Sequence, residues 1–249
     1  METIVRILFV MMLTICCHSA FAQSVSIRTD EWFPMNGKPG QKPEGFLIDF
    51  AKRTFDSVDY KLMSWQRAVE EVRQGNFDCV VGAFKEDAPG FVFPEESWGV
   101  NQTAVYVRSS DTWQYDGPSS LLDRKVGIIK GYSYEDEIDA LVKTRKDVFK
   151  ALSGVDALDK NVKKLAAGRI DTLIESEPVA NAKILQLGLQ GKIKLVGHTN
   201  LPQPMYIACS PAKAKSKELV KRVDEVIREL RANGEIEKIM SQYGLSDWK

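Results

Sequence analysis

Histidine is scarce in this chain of 249 residues, which has only His18 and His198. A Ser-His-Asp triad beyond the first 22 residues could use only His198, and the sequence has no Gly-x-Ser-x-Gly turn to hold a nucleophilic serine. A metal site of His and Cys ligands would need more of these residues than the chain supplies. The segment from Lys130 to Tyr134 lacks the spacing of a phosphate-binding P-loop. We therefore expect no enzyme activity, no metal and no cofactor.

An excess of charge of either sign is also missing, because 34 Lys and Arg residues balance 34 Asp and Glu residues. Nucleic acids and anionic membrane surfaces attract strongly basic proteins, so we expect neither as a partner. Long apolar runs are missing as well, except near the start of the chain.

The start of the chain carries a targeting pattern. Arg6 precedes an apolar stretch from Ile7 to Leu13, and small residues stand at Ala20 and Ala22. The stretch is too short to cross a bilayer, and the small residues fit a cleavage site. The pattern predicts a cleavable signal peptide over residues 1–22 and a periplasmic protein. A retained membrane anchor is the alternative.

Only two of the four cysteines, Cys79 and Cys209, lie beyond residue 22. The periplasm permits disulfides. Cys79 opens one predicted strand and Cys209 closes another, so the two sulfurs could bond if those strands are antiparallel neighbours. Otherwise both are buried free thiols, and the sequence leaves these alternatives open.

One pattern occurs twice, over residues 72–81 and 165–174. In each copy an amphipathic run ends at a glycine, Gly75 or Gly168, and an aspartate then leads into a short apolar strand. Glycine can adopt the left-handed conformation that ends a helix. The repeat predicts an α/β fold with two similar lobes. Open α/β sheets bind ligands at the carboxyl ends of their strands, so we expect a ligand-binding cleft between the lobes.

The order of predicted elements suggests where one lobe gives way to the other. Up to Phe84 the order is β-α-β-α-β, which implies a parallel sheet. Extended segments near residues 97–103 and 201–205 read as two crossings that form a hinge. The predicted division is a signal peptide over residues 1–22, a first lobe over residues 23–100, a second lobe over residues 101–202, and a return to the first lobe over residues 203–249.

Several motifs resemble, in order and spacing, the family 3 solute-binding proteins that serve ABC importers of polar amino acids. These motifs are Gly45-Phe46-Leu47-Ile48-Asp49, Ser64-Trp65-Gln66-Arg67-Ala68, Gly75-Asn76-Phe77-Asp78, Lys125-Val126-Gly127-Ile128-Ile129-Lys130-Gly131, Gly168-Arg169-Ile170-Asp171, Pro178-Val179-Ala180 and Asn233-Gly234-Glu235-Ile236-Glu237-Lys238-Ile239. The resemblance covers essentially all of the chain after residue 22. It implies two Rossmann-like lobes of the type II periplasmic binding protein kind, which close on a small polar solute held by loops at the strand ends.

Some residues match positions that have a role in that family. Trp32 and Trp65 match places where the family stacks flat side chains on its ligand. Gly131 and Tyr132 match a site where backbone N–H groups meet an anionic group of the ligand. We expect these two residues to open a helix of the second lobe. A helix N-terminus favours negative charge, which would explain the binding of an anionic group there.

Two positions depart from the family pattern. Relatives that bind amino acids usually carry an Arg that grips the ligand carboxylate, and here that position is Asp87. Relatives also carry an Asp that receives the ligand amino group, and here Ser176 takes its place between Glu175 and Glu177. The resemblance therefore does not specify an amino acid as the ligand.

Two kinds of ligand remain open. Trp32, Trp65 and Tyr132 could form an aromatic cage or sandwich for a cation, with nearby acids supplying negative charge. Arg67 or Lys85 could instead bind a carboxylate. Core packing of the aromatic residues and surface exposure of the charged ones are the ordinary alternatives. The candidate residues are Trp32, Trp65, Phe84 and Tyr132; Asp87, Glu175 and Glu177; Arg67 and Lys85; and Gly131 and Ser176.

Three functions are compatible with these residues. The first is a monomeric solute-binding protein whose partners are a small polar solute and the membrane permease of an ABC importer. The second is a periplasmic sensor subunit that acts on a membrane receptor. The third is a dehydratase-like enzyme on the same fold, which would depend on Glu175 or Glu177.

Overall fold

The computed structural model of the protein describes residues 24–199 and 201–249. The predicted signal peptide lies outside the described residues. Within them, no helix is long and apolar enough to cross a membrane.

The described chain alternates strands and helices through most of its length. In chain order they are β1 (Ser24–Thr29), α1 (Phe46–Thr54), β2 (Ser57–Leu62), α2 (Trp65–Arg73), β3 (Cys79–Ala83), β4 (Gly99–Asn101), β5 (Thr103–Arg108), a 3-10 helix (Pro118–Leu121), β6 (Val126–Ile129), α3 (Asp136–Thr144), β7 (Phe149–Leu152), α4 (Ala157–Ala166), β8 (Thr172–Ser176), α5 (Glu177–Gln186), β9 (Ile193–His198), β10 (Gln203–Cys209), α6 (Ser216–Ala232) and α7 (Glu235–Ser241).

The strands form two sheets of five. The first has the order β2-β1-β3-β10-β4, in which β1 is parallel to β2 and β3 and β10 is antiparallel to both its neighbours. The second has the order β7-β6-β8-β5-β9, in which β6 is parallel to β7 and β8 and β5 is antiparallel to both its neighbours. We call the first sheet with its helices lobe 1 and the second lobe 2. The predicted α/β fold with two similar lobes is confirmed.

The repeated pattern has the same structure in both lobes. After α2, the Gly75 N–H donates to the Val72 carbonyl oxygen and the Asn76 N–H to that of Glu71; after α4, Gly168 and Arg169 repeat these two bonds. Both glycines have a positive φ, 84° and 70°. These are the bonds of a Schellman helix end, which needs a left-handed residue.

The aspartate of each repeat then fixes a neighbouring parallel strand of its own lobe. The Asp78 carboxylate accepts a hydrogen bond from the Ser26 N–H at 2.8 Å, at the start of β1. The Asp171 carboxylate accepts one from the Lys125 N–H at 2.9 Å, just before β6. The motif therefore ends a helix and aligns two parallel strands in both lobes.

Two short strands escape the sequence prediction. β4 has three residues and follows a segment without periodicity, and β7 has four residues of which Lys150 and Ala151 are exposed. Strands this short at sheet edges bury too few side chains to produce an apolar pattern. The pairing with β10 and β6 specifies them instead.

Cys79 and Cys209 lie opposite each other in the antiparallel pair of β3 and β10, and they form a disulfide. Both residues are fully buried in lobe 1. The disulfide joins β3, which precedes all of lobe 2 in the chain, to β10, which follows it.

Candidate ligand-binding cleft

The carboxyl ends of strands from both sheets meet between the lobes. In lobe 1, Asp30 directly follows β1, Trp65 begins α2 after β2, and Phe84 directly follows β3. In lobe 2, Tyr132 comes shortly after β6 and Glu175 is next to the last residue of β8. Parallel strands place their carboxyl ends at the same edge of a sheet, so these residues converge on one cleft.

Three aromatic side chains occupy the cleft. The Tyr132 ring of lobe 2 packs edge-on against Trp32 and Trp65 of lobe 1, with centroid distances of 6.4 and 6.1 Å and interplanar angles of 77° and 90°. Edge-to-face geometry is favourable for aromatic rings. The Trp65 Nε1–H donates to the Gly131 carbonyl oxygen at 3.1 Å. The three aromatic residues proposed for a cage thus lie together, with Tyr132 bridging the two tryptophans.

Asp30 lies beside these rings and is only 7% exposed. The Tyr132 hydroxyl donates to its Oδ2 at 2.7 Å. Its backbone carbonyl accepts a hydrogen bond from the Asn36 side chain at 2.6 Å, which fixes the loop after β1. Asp30 therefore links the lobes through its carboxylate.

Glu175 reaches across from lobe 2 and is 2% exposed. Its Oε1 accepts hydrogen bonds from the Trp32 Nε1–H at 2.9 Å and from the Ser176 N–H at 2.7 Å. Its Oε2 is buried and accepts no hydrogen bond, and the buried Ser176 hydroxyl also has no partner. A buried acceptor without a donor is unfavourable, so this corner of the cleft has unused hydrogen-bonding capacity.

Asp87 makes a further contact between the lobes. One carboxylate oxygen accepts from the Phe84 N–H of lobe 1 at 3.1 Å, and the other accepts from the Ser133 N–H of lobe 2 at 2.8 Å. The position where relatives carry the ligand-binding Arg is therefore at the cleft, but it holds an acid.

Burial raises the pKa of all three cleft acids. The pKa of Asp30 rises to about 6, that of Asp87 to about 7 and that of Glu175 to about 7, mainly because protein atoms replace water around each carboxyl group. Hydrogen bonds to the charged forms oppose the shifts. None of the ion pairs among the described residues involves these three acids, and no lysine or arginine is among the main groups that lower their pKa values.

A cavity of about 20 Å³ remains among these side chains, which is room for about one water molecule. The lobes are thus closed tightly on each other, and a larger ligand would require them to separate or Tyr132 to move. The cavity is lined by Thr29, Asp30, Trp32, Trp65, Val81, Gly82, Phe84, Asp87, Tyr132 and Ser133.

A wider groove of about 770 Å³ lies next to the cavity and shares Phe84 and Ser133 with it. Its lining is acidic, and among the described residues that line it His198 alone can become positively charged. We call it the acidic groove. Its acids are Glu86, Asp116, Glu135, Asp136, Glu137 and Asp139.

Of the predicted charged residues, only Asp87 lines the cavity; Glu175 lies next to it, bonded to Trp32, and the other three lie elsewhere. Arg67 is exposed on α2 and pairs with Glu71 at 3.4 Å. Lys85 is exposed, with its ammonium 5.4 Å from the centre of the Tyr206 ring. Glu177 is the first residue of α5 and contacts the His198 ring at 2.7 Å. Neither base is in place to bind a carboxylate inside the cavity.

The expected helix at Gly131 and Tyr132 is wrong. These residues form a turn after β6, and α3 begins only at Asp136. The Tyr134 hydroxyl accepts a hydrogen bond from the Ile129 N–H at 2.8 Å, which ties the segment after the turn back to β6. Gly131 therefore presents a carbonyl oxygen to Trp65 rather than a helix N-terminus to an anion.

Sequence reasoning missed Asp30 and a buried lysine, Lys183. The Lys183 ammonium of α5 contacts Glu31 of lobe 1 at 3.1 Å and Asp159 of α4 at 2.7 Å. Asp30 had one usable signal, because it directly follows a predicted strand at the edge where ligands bind. Lys183 had none, because its partners are distant in sequence.

The cleft side chains can bind and orient a small molecule. Among residues 24–199 and 201–249, no group of three or more His, Cys, Asp or Glu side chains could hold a metal ion. His198 and Glu177 stand apart from the cavity.

Comparisons with known proteins place the chain in a family. A probable amino-acid-binding protein, YxeM, of Bacillus subtilis (strain 168) is 23% identical over 224 residues, which are 86% of this chain and 81% of that protein. Among solved structures, an ancestral arginine-binding protein bound to arginine aligns with a TM-score of 0.74 and 21% identity, over 89% of this chain and 98% of that chain.

A histidine kinase sensor domain similar to periplasmic binding proteins aligns with a TM-score of 0.72 and 17% identity, over 90% of this chain and 97% of that chain. At these identities the structures establish the fold alone. The sequence model of one family matches residues 25–246, nearly the whole described chain, and so confirms the resemblance. The chain belongs to the bacterial extracellular solute-binding proteins, family 3.

Proposed function

We propose that this protein captures a small polar solute between its lobes in the periplasm and delivers it to the membrane permease of an ABC importer. The observation that carries the proposal is the set of hydrogen bonds between the lobes around one cavity. Four cross the cleft: Tyr132 to Asp30, Trp32 to Glu175, Trp65 to Gly131 and Ser133 to Asp87.

These bonds make the closed form a defined state. We propose that residues 23–100 with 203–249 move as one body and residues 101–202 as the other, because among the described strands β4 and β5, and again β9 and β10, are consecutive strands that lie in different sheets. A solute that binds the closed form better than the open form shifts the population toward closure. The permease would then distinguish loaded from empty protein by its shape.

The expected location rests on two features. The chain begins with a signal peptide pattern, and the buried Cys79–Cys209 disulfide suits an oxidising compartment. The amino-acid-sized ligands in the names of the relatives agree with a small polar solute.

A sensor subunit is the second candidate, favoured by the likeness to a histidine kinase sensor domain. It would use the same closure to act on a membrane receptor. Neighbouring genes for a permease and an ATPase would favour transport, and a neighbouring gene for a signalling membrane protein would favour sensing.

Binding and closure can be tested in two steps. A thermal-shift screen against amino acids, amines, organic acids and sugars should find a solute that raises the melting temperature, because it binds only the folded state. Small-angle scattering with that solute should then give a smaller radius of gyration than without it. A melting temperature that no solute raises, or a radius unchanged at saturation, would argue against capture by closure.

A further inference from the structure

We propose that the solute is an organic cation, either an amine or a guanidine, and that it carries no carboxylate. This inference depends on the proposed function, because it takes the closing cleft as the binding site. The site differs from an amino acid site because the cavity lining has no basic side chain to bind a ligand carboxylate.

The charges around the cavity are all of one sign. Asp30 and Asp87 line it, Glu175 lies behind Trp32, and the lining contains no lysine, arginine or histidine. Lys183, the buried lysine described above, already contacts Glu31 and Asp159. A ligand carboxylate would therefore enter next to buried acids without a cationic partner, which is strongly unfavourable.

The unused hydrogen-bonding capacity also favours a donor-rich ligand. Glu175 Oε2 is buried and accepts no hydrogen bond, beside the Trp32 indole that lines the cavity. An ammonium carries three N–H donors and a guanidinium up to five, and neither needs an acceptor for itself. A cation that reaches this oxygen past Trp32 would satisfy it and neutralise the acids together.

The aromatic residues complete the match. The faces of Trp32 and Trp65 can attract a cation through their π electrons. The Tyr132 hydroxyl donates to Asp30 at 2.7 Å, as an ammonium would. In the closed structure Tyr132 thus makes the contact that a cationic ligand would take over when it enters.

The route to the cavity has the same charge preference. The acidic groove adjoins the cavity, because both are lined by Phe84 and Ser133, and we take the groove as the approach to the cleft. A cleft lined by charge of one sign raises the local concentration of the opposite charge and speeds its association. An approaching cation is attracted and a carboxylate repelled.

The experiment uses pairs of probes that differ only by the carboxylate: agmatine and L-arginine, cadaverine and L-lysine, histamine and L-histidine. Titration calorimetry with the purified protein should show at least one decarboxylated probe binding tenfold or more tightly than its amino acid. Tighter binding of the amino acid in the pairs that bind would overturn the inference and leave the proposed function intact. Binding and closure only with neutral or anionic solutes would have the same meaning, whereas no binding by any solute would remove both.

Substitutions identify the acids that carry the effect. Asp30→Asn and Glu175→Gln keep the shape and the bonds from Tyr132 and Trp32, and each should weaken binding of the tightest cationic probe at least tenfold. The exposed acids Asp123 and Glu218 provide matched controls, Asp123→Asn and Glu218→Gln, which should change the affinity less than twofold. If a cleft variant does not fold, the paired probes still decide the ligand class. Equal losses in cleft and control variants would contradict the assignment.

Discussion

At the scale of single residues, the acids of the cleft make the free energy of unfolding depend on pH. Asp30, Asp87 and Glu175 hold protons in the closed protein at pH values where they are ionised in the unfolded chain. The folded protein therefore binds more protons than the unfolded one between roughly pH 4 and 7. Stability in this window falls as the pH rises, because each group must lose its proton without gaining a cationic partner.

We expect the free energy of unfolding of the ligand-free protein to decrease between pH 5 and 8. A raised pKa of one unit corresponds to about 1.4 kcal/mol, so Glu175 alone contributes a decrease of roughly 2–3 kcal/mol. Urea unfolding at a series of pH values measures it. Glu175→Gln should flatten the dependence, and a stability that rises with pH in both proteins would contradict this prediction.

Only some of the residues of the cleft can be predicted from the sequence. Trp32, Trp65 and Asp87 were found because they stand at family positions, but Asp30 owes its role to Tyr132, 102 residues later. Glu175 and Glu177 look equivalent in the sequence. They differ because β8 ends at Ser176 and α5 starts at Glu177, so the alternation of a strand does not continue to the second acid.

At the scale of elements, α5 is connected to both lobes through Lys183. Its ammonium joins α5 to α4 within lobe 2 and to the loop after β1 in lobe 1. The side chain of Lys183 is 7% exposed and that of Glu31 11%, so water screens this contact little. The contact therefore holds the lobes together in addition to the bonds of the cleft.

Lys183→Met should remove this connection and leave Glu31, which is largely shielded from water, with only the more distant ammonium of Lys38 at 3.9 Å. We expect a loss of about 1–3 kcal/mol in unfolding free energy, together with a larger radius of gyration of the ligand-free protein. Lys160→Met is the matched control, because Lys160 on α4 forms a solvent-exposed pair with Asp156, and exposed pairs contribute little to stability. Equal effects of the two substitutions would show that Lys183 does not hold the lobes.

Elements were predictable where local sequence specifies them. The helix ends at Gly75 and Gly168 follow from a residue type that the left-handed conformation requires. The sequence pattern predicts too early a start for α3. Tyr134 is buried and continues the apolar pattern of the helix, although it lies before the first helical residue. Its hydroxyl instead accepts the Ile129 N–H, a contact that no spacing rule encodes.

At the scale of the whole molecule, one disulfide closes the chain around lobe 2. Cys79 and Cys209 are 130 residues apart, and all of the second sheet lies between them. A cross-link that closes so long a loop restricts the unfolded chain strongly. Within β3, Cys79 is at the end away from the cleft, because the ligand-binding edge follows Ala83.

The double variant Cys79→Ala/Cys209→Ala should therefore be less stable by roughly 2–5 kcal/mol and keep its ligand affinity. Urea unfolding measures the first quantity and calorimetry the second. Reducing agent should produce a similar loss in the natural protein and none in the variant. A variant as stable as the natural protein would show that the disulfide does not stabilise the fold by restricting the unfolded chain.

The indole N–H groups of Trp32 and Trp65 both donate to atoms of the opposite lobe, Glu175 and Gly131. Opening the cleft would break both bonds and bring water to both rings, and the ultraviolet emission of tryptophan shifts to longer wavelength when water reaches it. The other three tryptophans of the chain donate to no atom of the opposite lobe in any described hydrogen bond. The molecule thus contains two natural fluorophores whose emission wavelength reports whether its lobes are closed or apart, without an added dye.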